Sequence, residues 1–296
     1  MKNIGGNWSD ILDEMKTFPS SFDDIRHRYF IQLQNLIDRN IICYYSGWQQ
    51  NKQNSITIND EDMTGFMTAM KGIDKSKGVT LILHTPGGDP NAAESIVAYL
   101  RKIFNDDIEV IVPHMAMSAG TMIACASKSI TMGYHSSLGP VDPQLSGLPA
   151  YAILSEFEEA YKELQNDDSN INYWSLLLSK YPPAFVKIAQ DAVNLSDELL
   201  ARWLGEIMFK NDKDADQKIS RVTKNLNEHE NSKVHSRHFN YNKAKEFGLK
   251  VKLLEDDPHL QNAVLSLHHA FIITLQETNA SKIIEGSKNS YINFDN

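Results

Sequence analysis

Cysteine is nearly absent. The 296 residues hold two, Cys43 and Cys125, which excludes a disulfide scaffold and a Cys-rich zinc site. Both sit in apolar runs, where a reduced cysteine serves as a small core residue. No run of about 18 consecutive apolar residues occurs, so no membrane-spanning helix is expected. The opening stretch MKNIGGNWSDILDEMK is polar and acidic and does not read as a secretory signal. A soluble, cytoplasmic protein is the expectation. Basic charge is also in short supply: 29 Lys and Arg stand against 38 Asp and Glu, a formal net charge of −9. That excludes a broad basic surface for nucleic acid. Three motifs are missing. Without G-x-x-x-x-G-K-[ST] the chain has no P-loop of its own, and without G-x-G-x-x-G after a strand nicotinamide binding lacks support. Without H-E-x-x-H a zinc peptidase is excluded. No cofactor is expected.

What is present is an ordinary globular composition, 42% hydrophobic and 23% charged, enough to bury a full core. Residues 1–40 carry apolar positions at helical spacing. Residues 41–145 alternate strand-like runs (IICYYSG, VTLILH, IEVIVPH and the weaker SITMG) with helical segments (DEDMTGFMTAMKGI, PNAAESIVAYLRKIF). Such alternation implies an α/β fold with a parallel sheet and right-handed crossovers. Residues 146–230 read as three helices, AILSEFEEAYKELQ, PAFVKIAQDAVN and SDELLARWLGEIMF, the last capped by Ser196 or Asp197. Residues 235–296 read as a short helix ending at Gly248, a strand KVKLL, a long helix HLQNAVLSLHHAFIITLQE and a loose polar tail.

Two stretches carry chemistry. His84-Thr85-Pro86-Gly87-Gly88-Asp89-Pro90 joins the strand VTLILH to a helix. Paired glycines let backbone N–H groups approach a ligand and hold a phosphate or a developing oxyanion. Alone, the same residues make a plain turn. Pro113-His114-Met115-Ala116-Met117-Ser118-Ala119-Gly120-Thr121 follows the next strand and opens the apolar helix GTMIACAS. A serine among small residues at a strand-to-helix turn follows the logic of a nucleophile elbow, with the Ala119 N–H as an oxyanion donor. Alone, Ser118 is equally a helix N-cap. Together the two turns end neighbouring strand–helix units and face one crevice, as acyl transfer requires.

The stretch LILHTPGGDPNAAESIVAYL…IEVIVPHMAMSAGTMIACASKSITMGYHSSLGPVDPQL resembles the Clp/crotonase superfamily, and more closely the serine dehydrogenase proteinases, related to signal peptide peptidase A. CYYSGW and HSRHFNYNKAKEFGLKV extend the resemblance over roughly residues 40–280. It implies a Clp/crotonase-like parallel sheet of ββα-type repeats with flanking helices. The implied organisation is an N-terminal helical extension (1–40), a serine protease domain (41–255) and a C-terminal helix with a polar tail (256–296). It makes Ser118 the nucleophile, and Gly87 and Ala119 the oxyanion donors with Gly88 beside them. It also implies a peptide or protein substrate and a homo-oligomer. With no P-loop in the chain, ATP-driven delivery would need a separate ATPase or activating partner.

The general base has no obvious counterpart. Clp-type proteases carry a His at a place that falls here near Pro140, within Leu138–Asp142, and no His stands there. Signal peptide peptidase relatives use a Lys; the corresponding LPAYAILSEF has none at that place. Lys162, Lys180 and Lys187 are the next candidates, Lys187 lying in the most apolar surroundings. His84 and His114 end strands near the crevice, and His135 lies 17 residues past Ser118; each is either a base or a structural histidine. His235 and His238 lack a carboxylate at ligand spacing. His268 and His269 read as core or interface residues of an apolar helix. Asp142, between two prolines, either orients a base or substrate or is a turn carboxylate. Three functions compete: a serine peptidase, a degenerate scaffold or peptide-binding protein, and a crotonase-like acyl-CoA enzyme.

Overall fold

The computed structural model describes residues 7–17, 22–227 and 236–295. Helices α1 (Trp8–Thr17) and α2 (Phe22–Ile37) lead into strand β1 (Asn40–Ser46). Helix α3 (Asp62–Ala69) precedes β2 (Val79–His84), and α4 (Pro90–Phe104) precedes β3 (Ile108–Val112). The short strand β4 (Met115–Ala116) leads to α5 (Ala119–Cys125), β5 (Ile130–Met132) and β6 (Ser137–Leu138). A small hairpin, β7 (Gln144–Leu145) and β8 (Leu148–Pro149), opens a helical excursion: α6 (Ala150–Asn166), α7 (Ile171–Leu178), α8 (Phe185–Trp203) and α9 (Ala215–Asn227). Helix α10 (Tyr241–Phe247), β9 (Val251–Leu253), helix α11 (Pro258–Glu277) and the strands β10 (Ala280–Glu285) and β11 (Ser290–Phe294) complete the chain.

Among the described residues the main sheet runs β11-β10-β1-β2-β3-β5-β9. Pairs from β1 through β9 are parallel; β10 is antiparallel to β1 and β11 to β10. Strands covered on both faces read as continuous apolar runs, and β1 and β2 are buried at every position. Ile42, Tyr44, Leu81 and Leu83 face α3, α4 and α5. Ile41, Cys43, Tyr45 and Ile82 face α1, α2 and α11. Helix α4 starts where Asp89 caps it, its Oδ1 accepting from Asn91 N at 2.8 Å, with Pro90 in the first turn. No helix among the described residues is long and apolar enough to cross a membrane.

Two local expectations change. The two helices expected across 183–209 are one helix, α8, ending in a π-helical turn at Leu204–Met208. Ser196 is not a cap but sits mid-helix, donating its hydroxyl to Val141 O at 3.0 Å. The stretch expected as a loose polar tail forms β10 and β11. Every residue of β10 is buried, including Lys282 and Glu285, because each charge meets a buried partner. Arg26 Nε donates to Glu285 Oε2 at 2.6 Å, and Lys282 Nζ lies 2.5 Å from Asp62 Oδ1.

Phe271 of α11 anchors the second face. It is fully buried, stacks on Tyr45 with ring centres 4.2 Å apart, and lies under the Arg26 guanidinium. Phe271→Ala is expected to cost about 3–5 kcal/mol. A lower guanidinium chloride midpoint with an unchanged slope is the expected readout.

Candidate active site

The site is built where β2, β3 and the segment before α3 converge. Past β2, Thr85 pairs with the chain leaving β3: its N–H donates to Met115 O and its carbonyl accepts from Met117 N, both at 3.0 Å. On the other side, Ile58 N donates to Gly87 O at 2.8 Å and Asp89 N donates to Ile58 O at 2.9 Å. Three short segments, around Ile58, Thr85–Asp89 and Met115–Met117, therefore run side by side.

This ladder delivers Ser118 in an unusual conformation, φ 50° and ψ −120°. An L residue with positive φ stores of order 1–3 kcal/mol and persists only where its surroundings over-determine it. The surroundings here are close. A Cβ added to Gly87, at φ 96°, would sit 2.6 Å from Met117 O and 2.8 Å from Ser118 Cβ, so only glycine fits. A Cβ at Gly88 would overlap the Ile58 backbone, and one at Gly120 would lie 2.5 Å from Thr85 Cγ2.

The amides divide into bonded and unbonded. Gly87 N donates to Thr85 Oγ1 at 3.1 Å. Gly87 O and Asp89 N both turn toward Ile58, so the intervening Gly88 N–H faces the opposite edge. Gly88 N and Ala119 N donate to no protein acceptor among the described residues. Ser118, Gly87, Gly88 and Ala119 border one cavity of about 450 Å³, walled by Met122, Val141, Leu145 and Leu195. Such an arrangement can hold an oxyanion beside a hydroxyl nucleophile.

The proposed bases lie elsewhere. Lys162 and Lys187 are 68% and 72% exposed, paired with Glu158 and Asp191 one helical turn away, each at 2.5 Å. Lys180 is exposed as well. The apolar stripes of α6 and α8 turn Ile153, Ala189 and Val193 inward and leave these lysines in water. His84 and His114 stack at 5.5 Å, with Tyr45 and His268 against His84, among the residues facing α11. None of them lines the Ser118 cavity. His135 lies 3.8 Å from Glu255, and His269 packs edge-on against Trp8. His238 lies near enough to His114 to influence its charge. His235 lies outside the described residues. Asp142 is buried, accepts from Gln144 Nε2 at 2.9 Å, and stands between the cavity residues Val141 and Pro143. Thr57, Gln144 and Ser196 also line the cavity and were not foreseen; an isolated TI pair before a polar turn gives little sign of its place.

A family model described as ClpP-like SDH-type serine proteinase matches residues 52–268. The chain belongs to this family. Ser118 and both turn glycines lie inside the matched range, and β10 lies beyond it. Relatives of this SDH-type chain include the uncharacterized proteins MJ0137 and MJ1495 of Methanocaldococcus jannaschii. They are 34% and 30% identical over 196 residues, 66% of this chain and 60% and 59% of theirs. The chain thus spans about 60% of the length of these relatives. A ClpP1 mutant from Listeria monocytogenes aligns at 16% identity and a TM-score of 0.39, covering 77% of this chain and 98% of its own.

The histidine cluster has a measurable consequence for this SDH-type protein. Burial holds the imidazoles of His84 and His268 well below the ordinary value of 6.5, and neighbouring histidines push the same way. Below that pH the unfolded chain binds more protons than the folded one. Stability is therefore complete above pH 6.5 and falls as pH drops below it, by up to about 1.4 kcal/mol per pH unit per buried histidine. His84→Phe should lose less stability than wild type between about pH 7 and pH 5 in denaturant titrations. Equal losses would show that the buried imidazole does not contribute.

Proposed function

We propose that the chain is a cytoplasmic serine peptidase that hydrolyses peptide bonds through an acyl-enzyme on Ser118. One observation carries the reading: Ser118 at positive φ, pressed against Gly87, with the unbonded amides of Gly88 and Ala119 beside it. The Ser118 oxygen attacks the scissile carbonyl carbon, and the carbonyl electron pair moves onto oxygen. Ala119 N–H and Gly88 N–H stabilise that oxyanion; Gly87 N–H is committed to Thr85 and serves the turn. Collapse expels the amine, which takes up the serine proton. Water then attacks the ester, releases the acid and restores Ser118. The walls formed by Met122, Val141, Leu145 and Leu195 suit an apolar side chain beside the scissile bond.

Neither Lys nor His lines the cavity among the described residues. The reading therefore takes the base from outside it, supplied by a second copy in a homo-oligomer. Tyr161, Ile171, Tyr173, Leu176 and Ile188 are exposed on α6, α7 and α8, which supports association of copies through these helices. The same missing base favours a second reading, a Clp-fold scaffold that binds peptides without cutting them.

A fluorophosphonate probe separates the two. Wild type should take one adduct, mapped to the peptide containing Ser118, and Ser118→Ala should take none while keeping its melting temperature. A folded wild-type oligomer that stays unlabelled, beside a serine hydrolase that labels, would support the scaffold.

A further inference from the structure

Lys282 is an unusual residue to find buried within a sheet. It lies on β10 opposite Ser46 of β1, and neither its side chain nor that of Asp62 reaches solvent. Its Nζ donates to Asp62 Oδ1 at 2.5 Å and to Thr57 O at 2.8 Å. The second oxygen of Asp62 accepts from Tyr44 OH at 2.7 Å and from Asn59 N at 3.1 Å. The pair thus grips the chain at Thr57, at Asn59 and at the start of α3. That same segment holds the glycine turn: Ile58 N and O bond to Gly87 O and Asp89 N. The grip therefore reaches the two glycines beside Ser118.

A buried ion pair is an expensive way to join a strand to the start of a helix; apolar residues of similar size often do as well or better. What it provides is a fixed geometry, because both charges need their partners at defined positions. We infer that Lys282 and Asp62 are positioning residues that hold the Thr57–Asn59 segment, and through it the Gly87–Gly88 turn, in place against Ser118. The C-terminal hairpin, outside the family-matched range, then completes the catalytic site. The role in catalysis rests on the peptidase reading above; the role in holding the turn does not.

The test uses the full chain and the double variant Asp62→Asn with Lys282→Met, which removes both charges together and avoids stranding one. Two readouts are taken. Amide hydrogen exchange, resolved to peptides covering residues 54–62 and 84–89, should speed up by about tenfold in a variant that still melts cooperatively. Exchange at α11 and α2 should stay as in wild type. Fluorophosphonate labelling of Ser118 should show a maximal inactivation rate lower by about 100-fold, with the half-saturating probe concentration changed less than about threefold. Should the double variant not fold, Tyr44→Phe carries the same test. It keeps both charges and removes the hydroxyl, and a smaller rise in exchange over residues 84–89 is expected. Wild-type exchange rates over both peptides, in whichever variant folds, would overturn the inference. A wild-type protein that takes no label would sink the peptidase reading alone, and exchange would still decide whether the pair holds the turn.

Discussion

The backbone of Ser118 is the constraint on which the site depends. A residue at φ 50° and ψ −120° is held there against its own preference, and three neighbours hold it. The Met117 N–H donates to Thr85 O, the carbonyl of Met117 accepts from Gly120 N at 2.8 Å, and Gly87 closes over the serine where any side chain would collide. The result is a serine whose hydroxyl makes no cap bond to its own helix and which borders the cavity. The requirement for glycine at 87 follows from that one conformation, and glycine at 120 leaves room for the Thr85 methyl.

The second layer of the design is electrostatic. The sheet buries two cation–anion pairs, Arg26 with Glu285 and Lys282 with Asp62, and both draw one partner from β10. Desolvation works against both charges of the second pair, raising the Asp62 pKa and lowering that of Lys282, and their mutual attraction opposes it. The hairpin is therefore tied to the α2 face through Glu285 and to the α3 face through Lys282. A strand held between β1 and β11 in this way has its register set by its charges as much as by Ile283 and Ile284.

The parallel sheet, its crossover helices and the two glycine-serine turns were legible because each rests on local pattern. Continuous apolar runs mark β1, β2 and β3, and small residues mark the turns. The hairpin was not legible: in ASKIIE the inward Lys and Glu look like surface residues unless Asp62 and Arg26 are already in view, more than 200 positions away. The break expected within α8 failed for a related reason. Ser196 is a good cap in isolation, but its hydroxyl is taken by Val141 O, and the helix continues past it. Among candidate residues, those with backbone roles converge on the cavity. Lys162 and Lys187 do not, because the apolar stripes of α6 and α8 leave them in water, and Lys180 lies exposed in the turn after α7. His84 faces the other side of the sheet with Ile82, a consequence of the two-residue alternation along β2, and His114 stacks on it.

The central claim is that Ser118 acts as an acylating nucleophile with the amides of Gly88 and Ala119 receiving the oxyanion. A crystal structure of the full chain with a peptidyl boronic acid tests it most directly. The account predicts a covalent bond from Ser118 Oγ to boron, with one boronate oxygen about 2.7–3.1 Å from both Ala119 N and Gly88 N. A boronate bound without that covalent bond, or with its oxygen turned away from these two amides, would contradict it.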